Sequence, residues 1–182
     1  MNTYLVLTII SDDKPGVIET LAQTIASHHG NWLESRLAHL AGKFAGILRI
    51  QVAQDNLQPL QDALRELSRQ GIQVVTTEAK VSAEGNNTDS QLFSFSLMGS
   101  DRPGIVKEIA RAFSSHQINI NELDSHCSSM PWSGEPMFIA EGLLSVPASV
   151  DIDALTDQLD AIADELGIDF ELEPFSYDDG GE

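Results

Sequence analysis

The sequence has few positive charges, and this shortage excludes several kinds of partner. Its 182 residues contain 10 Lys and Arg against 28 Asp and Glu, which gives a formal net charge of −18. A surface this acidic repels phosphate, so direct binding to DNA, RNA or an anionic membrane is not expected. The single cysteine, Cys127, excludes an internal disulfide framework.

Long hydrophobic runs and targeting signals are also lacking. No apolar run approaches the roughly 20 residues that a membrane helix needs. The start, Met1-Asn2-Thr3-Tyr4, has no basic region followed by an apolar one, so no signal peptide is expected. We therefore expect a soluble, cytoplasmic protein. Because 42% of the residues are hydrophobic and recur with clear periods, the chain can bury a core and is not disordered.

The negative charge is concentrated in the second half of the chain. Residues 1–85 carry seven basic and nine acidic side chains, whereas residues 86–182 carry three basic and nineteen acidic ones. This asymmetry predicts that the halves meet partners differently. The second half is expected to avoid DNA or to favour a basic protein surface, and the first half suits neutral contacts.

An internal repeat organises the sequence. Residues 4–16 read YLVLTIISDDKPG and residues 92–104 read LFSFSLMGSDRPG, so each apolar run ends in Asp-basic-Pro-Gly. At the same offset of 88, Asn31 matches Asn119 and Glu34 matches Glu122. Beyond an insertion between Ser125 and Met137, the matching pairs are Phe44 and Phe138, Leu60 and Leu155, Leu64 and Leu159, and Gly71 and Gly167. Two copies of one unit therefore fill the chain.

Hydrophobic periodicity predicts the order β-α-β-β-α-β in each copy. This order indicates an α+β fold of two ferredoxin-like βαββαβ units, each an antiparallel four-stranded sheet with two helices on one face. We expect a first domain at 1–82, a linker at 83–91, a second domain at 92–175 and an acidic tail at 176–182. The uncovered sheet faces need a partner, which favours a homodimer or a higher oligomer. The predicted strands are 4–10, 32–40, 44–52 and 72–81 in copy one and 92–99, 119–128, 136–146 and 168–175 in copy two.

Local signals predict how the helices begin and end. In each turn an Asp is expected to cap the following helix, with Pro in its first turn, so that the first helix of copy two covers 103–116. Gly30 is expected to end the first helix in a left-handed conformation, and the helix that reaches Gln117 to end differently. The predicted inner faces of these helices consist of Ile18, Leu21, Ala22 and Ile25 in copy one and Val106, Ile109, Ala110 and Phe113 in copy two.

The repeated turn could bind a small zwitterion. Free N–H groups and the positive end of the helix dipole favour a carboxylate there, and a glycine lets a ligand approach the backbone. Asp13 and Asp101 could accept bonds from an α-ammonium group, while Asn31 and Asn119 offer donors and acceptors. The alternative is that the turns only cap helices, without any ligand.

Two such units, each with an Asp-x-Pro-Gly turn and a downstream Asn, resemble tandem ACT domains over nearly all of residues 4–175. The segments YLVLTIISDDKPG and NWLESRLAHLAGKFAGIL in particular resemble stand-alone two-domain repressors of the glycine cleavage genes. The resemblance implies a small amino acid effector, with glycine suspected, and no cofactor. It also implies a DNA-binding activator as the protein partner. The implied ligand-binding residues are Asp13, Lys14, Pro15, Gly16, Val17 and Asn31 in copy one and Asp101, Arg102, Pro103, Gly104, Ile105 and Asn119 in copy two.

The histidines and the cysteine do not form a metal or catalytic pattern. They lack ligand spacing such as Cys-x-x-Cys, and the neighbours His126 and Cys127 point to opposite faces of a strand, so a buried or incidental thiol is expected. We therefore expect neither an enzyme nor a metal site. A regulatory or oligomerisation module of a metabolic enzyme, with or without a ligand, remains the alternative function.

The insertion in copy two, residues 128–136, lengthens a predicted hairpin. Its Met130 and Trp132 are typical contact residues for a protein partner. The alternative is an ordinary hairpin loop that packs on its own domain.

Overall fold

In the computed structural model, which describes residues 1–79 and 90–176, the chain divides into two compact units, residues 1–84 and 85–182. Most of the expected linker, from 83 to 89, and residues 177–182 of the expected tail lie outside the described residues. Each unit is an antiparallel four-stranded sheet with two helices on one face. The predicted pair of ferredoxin-like α+β units is confirmed.

Unit 1 has the predicted element order. The elements are β1 (Asn2–Asp12), α1 (Val17–Ser27), β2 (Asn31–Leu40), β3 (Lys43–Ala53), α2 (Gln54–Glu66), a 3-10 segment (Leu67–Gln70) and β4 (Ile72–Glu78). The sheet has the strand order β2-β3-β1-β4. The 3-10 segment is followed by Gly71, which adopts a left-handed conformation with φ of 81°. The last strand was expected to reach residue 81 but ends at Glu78, and residues 80 and 81 lie outside the described part.

Unit 2 repeats this topology. Its elements are β5 (Ser90–Ser100), α3 (Ile105–Ser115), β6 (Asn119–Ser129), β7 (Pro136–Pro147), α4 (Ile152–Leu166) and β8 (Ile168–Pro174). The sheet has the strand order β6-β7-β5-β8. Its first strand begins at Ser90, two residues before the predicted start. Gly167, the counterpart of Gly71, likewise follows the second helix in a left-handed conformation.

Each unit has its own hydrophobic core between the sheet and the helices. In unit 1 the core is aliphatic and includes Leu5, Leu7 and Ile9 from β1, with Leu60 and Leu64 from α2. In unit 2 an aromatic cluster takes the equivalent place, where the rings of Phe95 and Phe113 meet edge to face with centroids 5.4 Å apart. Because side chains alternate along a strand, the other face of each sheet is not covered by the helices of its unit.

The first helix of each unit begins later, and faces the core differently, than the sequence predicted. α1 begins at Val17 and not at Pro15. Its N-cap residue is Gly16, which has no side chain to make a capping hydrogen bond. The buried positions are Val17, Leu21 and Ile25, while Ile18 is 50% exposed and Ala22 is exposed. The prediction is therefore confirmed for Leu21 and Ile25 and wrong for Ile18 and Ala22, because a stripe that starts at Val17 fits the same periodicity.

The same rotation occurs in α3. The buried residues are Ile105, Ile109, Ala112 and Phe113, whereas Val106 is 44% exposed. Because α3 begins at Ile105, right after the left-handed Gly104, the expected start at 103 was wrong as well.

Both first helices end in the same way, which corrects two expectations. The left-handed residues are His29 and Gln117, each with φ of 57°, and Gly30 is not among the positive-φ residues. In both units the amide that follows donates back across the last turn, from Gly30 to Ile25 O and from Ile118 to Phe113 O. Gly30 is needed for space, because a Cβ there would lie 2.8 Å from Cγ2 of Ile25.

Candidate functional site

The turn between β5 and α3 is fixed by backbone bonds at both ends. The amide of Asp101 donates to Pro136 O at 2.9 Å, which connects the turn to the start of β7. Glu108 N donates to Gly104 O at 3.0 Å and opens the helix. Gly104 has φ of 101°, and a Cβ there would meet nothing within 4 Å. Glycine is therefore required by the backbone conformation rather than by a crowded approach.

The N-terminus of α3 opens onto a concave space with the features of a carboxylate site. This space measures about 460 Å³ and is lined by the turn, the first turn of α3 and one aromatic residue of β7. The N-cap residue is Gly104, which has no side chain to bond the first N–H groups of the helix, so Asp101 is not the N-cap that the sequence predicted. Those N–H groups and the helix dipole favour an anion. The lining residues are Asp101, Arg102, Gly104, Ile105, Val106, Lys107 and Phe138.

The turn of unit 1 has the same geometry. Asp13 N donates to Gly42 O at 3.0 Å, and Thr20 N donates to Gly16 O at 2.9 Å. Gly16, the N-cap residue of α1, has φ of 92° and no side chain that could cap the helix. The expected capping by Asp13 was therefore wrong too.

The basic residue of each turn contacts the end of the second helical segment of its unit. Lys14 Nζ donates to Gln70 O at 2.9 Å, and Arg102 donates to Glu165 O at 3.2 Å. Carbonyls at a helix end lack intrahelical partners, so a cation satisfies them well. This contact gives Lys14 and Arg102 a structural role at the positions for which ligand binding was predicted.

The remaining residues of the two predicted turns differ in what they offer a ligand. Pro15 and Pro103 are exposed, whereas Val17 and Ile105 are buried in the cores. A buried side chain contributes only its backbone N–H to a ligand at the surface. Main-chain groups and the Asp side chains are therefore the groups that these turns offer to a ligand.

Each turn Asp lies beside a residue that the sequence analysis did not connect with it. In unit 1, Oδ2 of Asp13 lies 3.9 Å from Nε2 of His39. In unit 2, the Asp101 carboxylate interacts with the thiol of Cys127, and desolvation together with this carboxylate raises the pKa of Cys127. His39 and Cys127 are 88 positions apart, so the repeat offset itself was the signal that could have found this pair.

Cys127 is exposed, so of the expected alternatives, a buried or an incidental thiol, the buried one was wrong. A raised pKa keeps the thiol protonated and poorly nucleophilic at neutral pH.

The asparagines lie far from the turns of their own units. Asn31 pairs with Gln51 on β3, whereas Asp12, which ends at the turn, pairs with Lys43. These two positions on β3 are eight residues apart, a separation of about 26 Å along a strand. In unit 2 the spacing is the same, between Ser145 opposite Asn119 and Met137 opposite Ser100. One amino acid cannot contact both the turn and the Asn of a single unit.

Asn119 takes part in a polar chain at the far end of its sheet. Its Nδ2 donates to Oδ1 of Asn121 at 2.9 Å, and Nδ2 of Asn121 donates to Oγ of Ser145 at 2.7 Å. The amide of Asn119 is thus held in place on the edge strand β6.

The insertion forms a closed loop at the tip of the β6–β7 hairpin. Met130 N donates to Glu135 O and Gly134 N donates to Met130 O, both at 2.9 Å. Trp132 is 98% exposed, so its ring does not pack on its own domain. Because Pro136 O also accepts from Asp101 N, the loop is directly connected to the turn of unit 2.

Two of the histidines have local partners. His28 Nδ1 lies 2.9 Å from Thr24 O, and His116 Nε2 lies 2.6 Å from Oε1 of Gln158. Within residues 1–79 and 90–176, no group of three or more His, Cys, Asp or Glu is placed to hold a metal ion. Among the described helices, none combines the length and hydropathy needed to span a membrane.

Known proteins resemble the chain at the level of sequence and of fold. The sequence profile of the ACT domain family matches residues 3–77. The chain is 21% identical over 174 residues to the glycine cleavage system transcriptional repressor of Escherichia coli (strain K12). This alignment covers 96% of the chain and 91% of the repressor.

Two crystal structures share the fold over nearly the whole chain. A protein of unknown function from Galdieria sulphuraria has a TM-score of 0.81 at 22% identity and covers 97% of this chain and 100% of its own. A candidate glycine cleavage system transcriptional repressor has a TM-score of 0.71 at 18% identity and covers 97% of this chain and 99% of its own. These likenesses show that both units, and not only residues 3–77, have a fold that is found in solved structures.

Proposed function

We propose that the chain, whose residues 3–77 match the ACT domain family and which resembles the glycine cleavage system transcriptional repressor, is a non-enzymatic, amino-acid-responsive regulator. It binds glycine or a similar small amino acid. It controls transcription of glycine cleavage genes by contacting a DNA-binding activator protein rather than DNA. The observation that carries the ligand-binding part is the duplicated turn, in which a left-handed glycine precedes a helix without a side-chain cap.

The turn of unit 2 supplies the main part of the proposed site. The ligand carboxylate accepts bonds from the first N–H groups of α3, where the helix dipole and the nearby Lys107 favour negative charge. The ligand ammonium donates to Asp101, which lies in the lining of the same concave space. The corresponding groups in unit 1 are the start of α1 and Asp13. A small ligand such as glycine needs no side-chain pocket.

A second copy of the chain completes the site in this proposal. The turn and the Asn of one unit are separated by eight strand residues, so a single ligand reaches only one of them. In a homodimer, Asn31 or Asn119 of another copy can approach a turn and donate to the ligand. Ligand binding then favours one arrangement of the subunits over another, which is how it alters partner binding.

The partner contact that we propose involves Met130 and Trp132. A fully exposed Trp on a hydrogen-bonded loop is a preorganised anchor, since Trp is among the residues that most often dominate interface energies. The bond from Asp101 N to Pro136 O connects this loop to the ligand turn. A ligand at the turn can therefore bias the loop and, through it, the activator.

Thermal unfolding with a panel of amino acids tests the ligand. A ligand that binds only the folded chain raises its stability, by about 2.7 kcal/mol at a concentration of 100 times its Kd. We expect glycine to raise the Tm, and Asp101→Asn to reduce that rise strongly, with a smaller effect from Asp13→Asn. Asp157→Asn, an exposed carboxylate on α4, is the matched control. A glycine response that survives the double variant of Asp13 and Asp101 would show that the site lies elsewhere.

A further inference from the structure

The sheet face of unit 2 that its helices leave uncovered is strongly acidic. Inward residues of its strands, such as Phe95 and Ala140, belong to the core, so their strand neighbours point to the opposite face. Six exposed carboxylates occupy those positions on three of the four strands. We call this surface the acidic face; its residues are Glu122 and Asp124 on β6, Glu141 on β7, and Asp169, Glu171 and Glu173 on β8.

The strand register places three of these carboxylates in one row across the sheet. Asp124 pairs with Glu141, Glu141 pairs with Ser96, and Ser96 pairs with Glu171. Like charges that lie directly opposite on neighbouring strands are destabilising. The row from Asp124 to Glu171 spans three strand spacings, about 14 Å, so the charge is spread over a surface and does not converge on one point.

The Lys and Arg side chains in the described part of unit 2 lie away from this face, whereas His126 on β6 lies on it, opposite Ile139. Lys107 and Arg111 are exposed residues of α3, which packs on the inner side of the sheet. Arg102 donates to Glu165 O at the end of α4. The repulsion within the acidic face is therefore not offset by these three cations.

The fold does not require acid at these positions. In unit 1 the residue equivalent to Ser96 is Thr8, whose neighbours on either side are Ile47 and Val75. Both are exposed, at 50% and 63%. Unit 2 has Glu141 and Glu171 in their places. The carboxylates thus distinguish unit 2 from an otherwise equivalent sheet.

An apolar strip, formed by Met98 and Ile139, lies beside the row of carboxylates on the acidic face. Met98 is 43% exposed and pairs with the half-buried Ile139 on one side and with Asp169 on the other. Leu143, two positions after Glu141 and therefore on the other side of the row, is also half-buried on this face. Apolar and acidic side chains thus lie next to each other, which suits a partner that carries both apolar and basic side chains.

We propose that the acidic face is the docking surface for a cationic, amphipathic protein segment, whose apolar side contacts Met98 and Ile139 and whose Lys or Arg side chains contact the carboxylates. The proposal rests on the proposed function, in which the chain acts by protein contact, and assigns the chemistry of that partner. Complementary charge on the partner removes the like-charge repulsion and accelerates encounter. A partner that presents phosphate would be repelled.

A charge-matched pair of variants tests the docking surface. The probe is a fluorescein-labelled 18-residue peptide of Leu and Lys with the leucines on one helical face, titrated into the full chain by fluorescence anisotropy. The face variant is E141Q/D169N/E171Q. The control variant, D153N/D157N/E165Q, removes three exposed carboxylates from α4. The face variant loses three ion pairs with the peptide, and at roughly 0.5 kcal/mol each this predicts about a tenfold weaker Kd. The control variant should change the Kd less than twofold.

Other outcomes would overturn the proposal. An equal loss in both variants would show that the peptide senses only net charge, and no loss in the face variant would place its binding elsewhere. A second peptide with Gly in place of Leu should bind the native chain more weakly; equal binding would exclude the apolar strip. The face variant loses internal repulsion, so its Tm should not fall, and this checks that it folds.

The glycine response separates this proposal from the proposed function. The acidic face lies outside the turn of Asp101, so the face variant should keep the rise in Tm with glycine. If the native chain shows no glycine response but binds the peptide selectively, the ligand part of the proposed function fails and the docking surface stands. If glycine stabilises both proteins and both bind the peptide equally, the docking surface is wrong.

Discussion

At the scale of single residues, the turn cations separate structural from ligand-binding roles. Lys14 and Arg102 each donate to a carbonyl at the end of the second helical segment of the unit. This contact explains why the position is Lys in one copy and Arg in the other, since either side chain can reach a helix-end carbonyl. It also leaves the main-chain N–H groups and the Asp carboxylate as the groups of the proposed ligand site.

We predict that Lys14→Met and Arg102→Met each lower the free energy of unfolding by about 0.5–1.5 kcal/mol, the usual net worth of one hydrogen bond. Methionine keeps the apolar stem and removes only the donor. Urea denaturation measures the change, with Arg69→Met, which removes an exposed ion pair to Glu66, as the control. Loss of the glycine response at unchanged stability would instead show that the cation contacts the ligand.

The contact between Asp101 and Cys127 makes a second prediction at this scale. Desolvation raises the pKa of Cys127, and the carboxylate raises it further by opposing the thiolate charge. Asp101→Asn should lower that pKa and move the profile of alkylation rate against pH to lower pH, so that iodoacetamide reacts faster at pH 7.5. Glu135→Gln, which removes another exposed carboxylate of the hairpin, should leave the profile nearly unchanged. An identical profile in the Asp101 variant would contradict the contact.

At the scale of elements, the turn depends on a conformation that side chains rarely adopt. Gly104 has φ of 101° with open space around its Cα, so an added methyl group costs backbone strain and not a collision. We predict that Gly104→Ala lowers the free energy of unfolding by about 1–2 kcal/mol. It should also weaken the glycine response, because the strain is relieved by moving the first N–H groups of α3.

Gly134 provides the matched control for this prediction. It also has a positive φ, 72°, and open space at its Cβ, but it lies in the hairpin loop. Gly134→Ala should cost a similar amount of stability and keep the glycine response. Equal loss of the response in both variants would show that the effect is general and not local to the turn.

The elements also show what the sequence could predict. Alternation and the repeat predicted the strands, their order and the two sheets, because burial on one face leaves a period of two. The helix phase was not predictable, since Val17 and Ile18 are both apolar and only the position of Gly16 decides between them. Left-handed His29 was missed because glycine is the usual residue there and Gly30 is its neighbour.

The candidate site was predictable only in part. The repeat identified the turns and their glycines. Both glycines adopt a left-handed conformation that other residues rarely take. The sequence could not place Asn31 relative to Asp13, because their distance depends on strand register across β3. Register also brings Asp101 beside Cys127, which are 26 positions apart in the chain.

At the scale of the whole molecule, charge distinguishes two units with one topology. The net charge of −18 comes mainly from the second half, and the structure shows six of its carboxylates on one sheet face. Unit 1 has apolar residues in two of the equivalent places. The repeat thus keeps the fold and the turn while the sheet surface differs, which is what a regulator with one ligand class and a separate partner surface requires.

The most direct measurement is calorimetric titration of the full chain with glycine, with alanine and serine alongside. The account predicts saturable heat from glycine, a response strongly reduced by Asp101→Asn and retained by the control Asp157→Asn. Folded protein that gives no heat and no rise in Tm with any amino acid would contradict the central claim that this chain is an amino-acid-responsive regulator.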